Sequence, residues 1–318
     1  MQFRTQIPIS KCSSPIDYNS QIVSLGSCFA ENIKAKFEYF KFQNIVNPFG
    51  IIFNPISIEK LIERAVNKTA FTEKDIFFHN ERWHCYEVHS ELSNENKDEF
   101  LNNLNEILHF TNNQIANSSH FILTYGTSWV YRNIASNEIV ANCHKVPQNQ
   151  FTKEILSVER IQKSIQNTIE VIKRVNPNGH FIFTVSPVRH IKDGFIENTV
   201  SKSNLLTAIY QQLQTEHCKL NTEYFPSYEI MMDELRDYRF YAADMLHPNQ
   251  VAIDYIWERF SQTQISEASF SIMEEVDSIQ KGLAHRPFNP DSVSHQKFLE
   301  SLNLKISQLQ EKHPPIKF

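Results

Sequence analysis

The sequence predicts an α/β protein in which a parallel β-sheet is covered by helices on both faces. Three short apolar runs have the length and composition of buried strands: QIVSLG (21–26), HFILTYG (120–126) and HFIFTVS (180–186). Each run ends at a polar or small residue, and a helical pattern follows it at a varying distance. Strands that alternate with helices in this way are typical of a parallel sheet.

The helices between these strands are predicted from apolar residues that recur every three or four positions. A long pattern of this kind runs from Thr152 to Val175 and stops at the turn-forming sequence NPNG. Two further extended segments are predicted, at NIVNPFG (44–50) and around Tyr224–Ile230. The helix after the first strand is indicated by Ala30, Ile33, Phe37 and Phe40.

Other segments are predicted to be added to this frame. WVYRNI and EIVANCH read as a hairpin with its turn at Ala135–Glu138, and residues 75–90 alternate like a second hairpin. Residues 94–109 are a helix candidate, and the chain beyond Phe260 is mostly helical. We therefore predict one domain over residues 1–260, with a helical C-terminal extension over residues 261–318 that packs on it.

Composition and charge exclude several classes of function. The net charge is −5 without a basic stripe, which argues against nucleic acid as a ligand. The N-terminus lacks the pattern of a secretory signal. Every apolar run is also well short of the roughly 18 residues that are needed to span a bilayer. No CxxC pair and no disulfide framework occurs among the cysteines, which favours a cytoplasmic protein and argues against a zinc site. We expect no metal or cofactor. The cysteines are Cys12, Cys28, Cys85, Cys143 and Cys218.

Ser27 is the first candidate for chemistry, because it directly follows the first predicted strand. In open α/β sheets, ligands bind outside the carboxyl ends of the strands. Taken alone, Ser27 is best explained as the N-cap of the next helix, whose first amides need an acceptor. As a nucleophile it would need a base to remove its proton.

A base is available in the segment YAADMLHPNQVAIDYIWERF (241–260). Pro248 suits the first position of a helix, which leaves His247 in the preceding loop. Asp244, three residues earlier, can reach round the turn to hold the Nδ1–H of His247 and leave Nε2 free as a base. The alternative is a loop histidine beside a helix-capping aspartate.

The order of these motifs resembles the SGNH (GDSL-like) superfamily of esterases and acyltransferases. The string GSCFAENI (26–33) further resembles the signature of the GSCFA family, which is placed in that superfamily. The resemblance extends along most of the chain. It includes NPFGIIFNP (47–55), LTYGTSWVYR (123–132), VANCHKVP (140–147), TVSPVRH (184–190), YFPSYEIMMDELRDYRFYAADMLHP (224–248) and HRPFNP (285–290).

The resemblance implies a three-layer α/β/α, flavodoxin-like fold with about five parallel strands. It also implies a catalytic triad in which Ser27 is the nucleophile, His247 the base and Asp244 the residue that orients it. A short acyl ester, such as an acetyl ester of a carbohydrate, would be the substrate. The same site suits an O-acyltransferase, and a non-catalytic protein that binds a saccharide or metabolite is a further alternative.

The oxyanion hole implied by the resemblance departs from the superfamily pattern. Its donors would be the N–H groups of Ser27 and Gly50, together with an asparagine in a third block. This sequence has Ser128 at that position, so the hydroxyl of Thr127 or Ser128 would have to substitute. Loss of one such donor typically lowers the rate by about 10²–10³.

Further polar residues near the predicted strand ends are candidates for binding an anionic or sugar substrate. Their alternative is a role in ordering loops through salt bridges or hydrogen bonds. The four candidates are His144, Lys145, Arg189 and His190. Cys28 is explained most simply as a small residue at a helix start, although a thiolate would be favoured there. The sequence makes no prediction about oligomeric state, and it also permits a scaffold that acts through the C-terminal helices.

Overall fold

A five-stranded parallel sheet forms the centre of the protein in the computed structural model, which describes residues 4–215 and 221–318. The strands, in chain order, are β1 (Gln21–Gly26), β2 (Gln43–Val46), β3 (Ile76–His79), β4 (Arg82–Cys85), β5 (His120–Tyr125), β6 (Trp129–Asn133), β7 (Ile139–Val140), β8 (Phe151–Ile155), β9 (His180–Val185) and β10 (Thr222–Tyr224). The central sheet has the order β10-β9-β5-β1-β2, and every pair in it is parallel. This is the flavodoxin-like order, so the predicted fold class is confirmed.

Helices cover both faces of this sheet. They are α1 (Cys28–Tyr39), α2 (Pro55–Val66), α3 (Lys97–Asn117), α4 (Val158–Val175), α5 (Phe195–Leu213), α6 (Ser227–Glu229), α7 (Gln250–Gln264), α8 (Phe270–Ala284) and α9 (Val293–Lys312). Buried apolar residues of α2 to α5 pack on one face, and those of α1, α7, α8 and α9 pack on the other. The result is the predicted three-layer arrangement.

The central strands are apolar throughout because they face a core on each side. All six residues of β5 and of β9 are buried. Successive side chains of a strand point to opposite faces. Accordingly, Phe121 and Phe181 belong to the core under α2 to α5, whereas Ile122 and Ile182 belong to the core under α1 and α7. Continuous apolar runs of this kind are what made these strands predictable.

Two small antiparallel sheets lie beside the central one. β3 pairs with β4, and β6 pairs with both β7 and β8. Both predicted hairpins are therefore present. The prediction of one helix over Thr152–Val175 is wrong at its start, because β8 ends at Ile155 and α4 begins only at Val158. The helix begins there because Ser157 Oγ accepts a hydrogen bond from Arg160 N at 3.3 Å.

Two other predicted boundaries are corrected. The extended segment around Tyr224–Ile230 ends at Tyr224, since Pro226 has no amide to donate and helical turns follow. Helix α7 begins at Gln250, two residues later than the Pro248 pattern indicated. Asn249 caps it, with Oδ1 accepting a hydrogen bond from Ala252 N at 3.1 Å.

The C-terminal helices contribute to the core on the α1 side of the sheet. Met273, Val276 and Ile279 of α8 share an apolar cluster with Phe37 and Trp257. The division at residue 260 stays a prediction. Within the described ranges, no helix is both long and apolar enough to cross a membrane. Cys12, Cys28, Cys85 and Cys143 carry free thiols, and Cys218 lies outside the described residues.

Candidate active site

The carboxyl ends of β1 and β5 meet where the chain order of the sheet reverses, with β2 on one side of β1 and β5 on the other. This is the position at which doubly wound sheets bind ligands. Gly26 is aligned with Thr124 in the neighbouring strand. A side chain at Gly26 would start 2.2 Å from Thr124 O, and φ there is +149°, so the approach of the two backbones requires glycine. Ser27 follows directly, with its amide 3.0 Å from Thr124 O.

Ser27 is the N-cap of α1. Its backbone is extended, and Oγ accepts a hydrogen bond from Phe29 N at 3.3 Å. The side chain is fully buried, with 0% exposure. Among the described residues its hydroxyl proton has no acceptor, and no hydrogen bond joins it to His247. The capping role suggested by the sequence is therefore present, and a nucleophilic role requires a base to approach.

Asp244 and His247 form a hydrogen-bonded pair in the loop before α7. Asp244 Oδ2 lies 2.6 Å from His247 Nδ1. The other carboxylate oxygen accepts the amides of Leu246 and His247 at 2.9 and 3.0 Å. The amides of His247 and Leu246, followed by the His247 ring, lower the pKa of Asp244 to about 2. An ionised carboxylate on Nδ1 favours the tautomer whose Nε2 can accept a proton.

His190 is a second imidazole at this edge of the sheet. A Cβ added at Gly126, just after β5, would lie 3.2 Å from His190 Nε2 and 3.4 Å from Ser27 Cβ. The His190 ring stacks on Phe53 at 5.8 Å, and its buried Nε2 has no hydrogen-bond partner within the described ranges. Burial, and then the charges of Lys202 and His247, lower the pKa of His190 to about 3. His190 is therefore neutral at physiological pH.

Lys202 lies beneath the site, and the sequence analysis missed it. This residue of α5 is only 1% exposed, and its Nζ donates hydrogen bonds to Gly126 O and Ser186 O, each at 2.7 Å. These two carbonyls terminate β5 and β9. Burial lowers the pKa of Lys202 to about 7, while the Cys28 thiol acts in the opposite direction. No local signal in the α5 sequence could have indicated this position, since its partners lie 76 and 16 positions away along the chain.

Cys28 is the first residue of α1 and is partly exposed. Burial raises the pKa of its thiol, and Lys202 and the first amides of α1 oppose that effect. The charge of Asp244 also acts on it, in the raising direction. Cys28 is therefore within electrostatic reach of both Lys202 and Asp244, which its place as a small residue at a helix start did not indicate.

The predicted oxyanion donors are bonded to other groups. The amide of Ser27 donates to Thr124 O, and that of Gly50 donates to Asn47 O at 2.8 Å. The Thr127 and Ser128 hydroxyls are both bonded to Ser201 of α5. Thr127 Oγ1 lies 2.8 Å from Ser201 Oγ, and Ser128 Oγ donates to Ser201 O at 3.2 Å. The oxyanion hole is therefore not preformed from these four residues.

A pocket of about 340 Å³ lies beside the site and shares Thr127 and His190 with it. Aromatic and polar side chains line it together, including Phe53, Trp129, Tyr131 and Asn142. Mixed linings of this kind suit small organic ligands. Of the four residues predicted to bind substrate, His190 alone lines this pocket.

The other three predicted binding residues lie elsewhere. His144 is buried, with Nε2 2.7 Å from Cys85 O, and burial lowers its pKa to about 4. Lys145 is exposed. The Arg189 guanidinium stacks on Tyr241 at 4.4 Å and bonds to Met245 O. Arg189 therefore holds the loop that carries Asp244 and His247.

Comparison with known proteins places the chain in a family. Residues 21–260 match the model of the GSCFA family, and residues 276–318 match that of the GSCFA domain protein, C-terminal domain. The chain belongs to the GSCFA family. No curated protein matches it.

Among solved structures, this GSCFA protein is similar to an acetyl xylan esterase (Est2A) from the rumen bacterium Butyrivibrio proteoclasticus. The TM-score is 0.41 at 10% sequence identity, and the match covers 88% of this chain and 66% of the esterase. The GSCFA chain thus spans just under two thirds of the length of that enzyme.

The five residues that give the GSCFA family its name have separate structural roles here. Gly26 permits contact with β5, and Ser27 caps α1. Cys28 is the first residue of α1, where the Lys202 charge opposes the rise in thiol pKa that burial causes, while Phe29 and Ala30 start the buried side of the helix. These five residues therefore form the junction between β1 and α1 beside the candidate site.

Proposed function

We propose that this GSCFA protein hydrolyses short acyl esters, with Ser27 as the nucleophile. The observation that carries the proposal is the position of Ser27 at the reversal of strand order, together with the Asp244–His247 pair, whose loop is bonded through Leu246 O to the amide of Arg189 just after β9. A serine at the start of a helix and a carboxylate-held histidine are the elements of acyl transfer through a covalent intermediate.

In the proposed reaction, Ser27 Oγ attacks the ester carbonyl carbon while its proton passes to Nε2 of His247. Asp244 stabilises the imidazolium that forms. His247 then protonates the departing alcohol, which leaves Ser27 acylated. Water attacks the acyl group, its proton passes to His247, and the carboxylic acid is released as Ser27 recovers its proton. Transfer of the acyl group to a sugar hydroxyl instead of water would make the same site an O-acyltransferase.

The proposal requires His247 to approach Ser27 when substrate binds. The His247 side chain is 46% exposed, so its ring has space to move. Catalytic hydrogen bonds are often long in the free enzyme and tighten in the complex. The developing oxyanion would lie at the start of α1, where the helix dipole favours negative charge. The donor we assign there is the amide of Cys28, which makes no hydrogen bond to a backbone carbonyl of any described residue and would give up its interaction with the Cys28 thiol.

The pocket beside Thr127 and His190 would receive the substrate. Its aromatic residues suit the apolar face of a sugar ring or an acyl chain, and Asn142 and Lys192 supply polar contacts. A small-molecule or saccharide ester therefore remains the substrate class that we propose.

A binding protein without turnover is the second candidate function. The observation that favours it is the engagement of the Ser27 and Gly50 amides, and of the Thr127 and Ser128 hydroxyls, with other partners. Such a protein would use the same pocket, and ligand binding would raise its melting temperature as much in Ser27→Ala as in the wild type.

Hydrolysis of a short-chain nitrophenyl ester tests the proposal. Ser157→Ala is a matched control for Ser27→Ala, because both hydroxyls cap a helix by accepting an amide at 3.3 Å. We expect Ser27→Ala to abolish turnover and Ser157→Ala to retain it, while each loses about 1 kcal/mol of stability as a cap. Folded wild type without turnover, or equal activity in the two variants, would remove Ser27 from the mechanism.

A further inference from the structure

The structure points to a site for Zn²⁺ formed by Cys12, His180 and Glu223, at the edge of the sheet opposite Ser27. His180 is the first residue of β9 and is aligned through β5 with the start of β1. Glu223 belongs to β10, and Cys12 belongs to the segment that precedes β1. The three residues come from distant parts of the chain and meet only in the folded protein.

The separations of the donor atoms suit a tetrahedral cation. Cys12 Sγ lies 3.4 Å from His180 Nε2, which in turn lies 3.4 Å from Glu223 Oε1. All three donor atoms lie within 4.8 Å of one another. Zinc bonds of about 2.0–2.3 Å give tetrahedral edges of about 3.3–3.6 Å, so both measured separations match. One cation can therefore contact all three donors once Cys12 Sγ and the Glu223 carboxylate, at most 4.8 Å apart, both come within bonding distance of it.

The chemistry of the donors favours zinc over magnesium or calcium. Thiolate and imidazole are preferred ligands of zinc, whereas the hard cations take oxygen donors. Cys12 and His180 are 8% and 2% exposed, and the Glu223 side chain is 21% exposed. Zn²⁺ would be neutralised by one thiolate and one carboxylate. Water from the Glu223 side can complete the tetrahedron.

The surroundings hold the ligands in place. The amide and hydroxyl of Ser13 donate to Glu223 Oε1 at 2.8 and 3.0 Å, and zinc at this oxygen would displace the hydroxyl bond and leave the amide bond in place. His120 Nε2 lies 2.8 Å from Ser14 O, and the His120 ring packs 5.6 Å from that of His180. Supporting contacts of this kind orient the ligands of metal sites. They fix the turn that carries Cys12 against the start of β9.

A hydrogen-bonded cluster without metal is the alternative, because the Cys12 thiol can donate to Ser14 O at 3.1 Å. Zinc binding would release that proton to solvent and leave Ser14 O with His120 as its partner. The bound cation would join the N-terminal segment to β9 and β10, and it would stabilise the folded state in proportion to its occupancy.

Titration with Co²⁺, a spectroscopic substitute for zinc, tests the inference. Wild type is expected to bind one equivalent and to develop a sulfur-to-cobalt charge-transfer band, which zinc then abolishes by displacement. Cys12→Ser should lose the band, and the matched control Cys143→Ser, a partly buried thiol elsewhere, should keep it.

A second variant keeps the test decisive if Cys12→Ser does not fold. Glu223 is the most exposed of the three ligands, so we expect Glu223→Gln to weaken Co²⁺ binding at least tenfold while the protein stays folded. The inference is overturned if folded wild type shows no thiolate band, if the band survives Cys12→Ser, or if Glu223→Gln binds Co²⁺ as the wild type does. Esterase assays do not enter this test, so it stands apart from the proposed reaction.

Discussion

Lys202 Nζ lies 2.7 Å from the carbonyl oxygen of Gly126, at the end of the strand beside Ser27. A second bond of 2.7 Å to Ser186 O ties the ends of β5 and β9 to the same ammonium group. Burial of an amine without a carboxylate partner disfavours its charged form. Because its pKa is lowered to about 7, we expect the protonation of Lys202 at the ends of β5 and β9 to change near neutral pH.

Lys202 should make stability depend on pH. Its pKa is lowered to about 7 in the folded protein, against about 10.4 when unfolded, so the unfolded chain binds more protons between these values. The free energy of unfolding should therefore gain up to about 1.4 kcal/mol per pH unit from Lys202 as pH rises from about 7 to 10. This contribution should be missing from Lys202→Met, measured by urea unfolding at several pH values. Parallel pH curves for the two proteins would contradict the assignment.

Gly26→Ala should be strongly destabilising, because the new Cβ would lie 2.2 Å from Thr124 O at a φ of +149°. Strain of this type and overpacking each cost about 1–3 kcal/mol. Gly282→Ala is the control, since its φ is not positive and the new Cβ would meet the end of one side chain, Leu302, at 2.8 Å instead of a backbone carbonyl. Urea midpoints should fall for Gly26→Ala and change little for Gly282→Ala; similar midpoints would show that β1 and β5 can separate at this point.

Asp244→Asn should lower kcat/KM by about 10⁴ if Asp244 orients the base, because the amide selects the wrong imidazole tautomer. An asparagine oxygen can still accept the amides of Leu246 and His247, so the loop should be retained. Asp237→Asn, which alters an exposed ion pair with Arg239, is the control. Nitrophenyl ester kinetics measure the effect, and equal rates for both variants would exclude Asp244 from the reaction.

The variants His190→Gln and His247→Gln distinguish which of the two histidines is the general base. Loss of a general base typically lowers the rate by about 10²–10⁴. We expect a loss of this size in kcat for His247→Gln, and a change mainly in KM for His190→Gln, because His190 lines the pocket. The opposite pattern would make His190, whose Nε2 lies near Gly126, the base for Ser27.

The fold could be predicted because its central strands are recognisable from their own sequences. β5 and β9 are continuous apolar runs, since each is buried on both faces. β8 was missed because Thr152 and Lys153 are exposed and merge with the helical pattern of α4. Strand pairing with β6, which the local sequence does not report, decides the conformation there.

In the candidate site, only contacts between residues close in sequence could be predicted. Asp244 and His247 are three residues apart, and Ser27 adjoins its strand and helix. Lys202 meets Gly126 across 76 positions, and Ser128 meets Ser201 across 73. Likewise, the cysteines form no CxxC pair in the sequence, whereas Cys12 and His180 meet across 168 positions. Contacts between residues so far apart along the chain are set by the topology of the fold, and no local sequence pattern reports them.

The central claim is that Ser27 is the nucleophile, and mapping of a fluorophosphonate adduct by mass spectrometry tests it most directly. The folded wild type should carry one adduct on the peptide that contains Ser27. The adduct should disappear in Ser27→Ala and persist in Ser157→Ala and Cys28→Ala. A folded wild type without an adduct, or an adduct that remains in Ser27→Ala, would contradict the account.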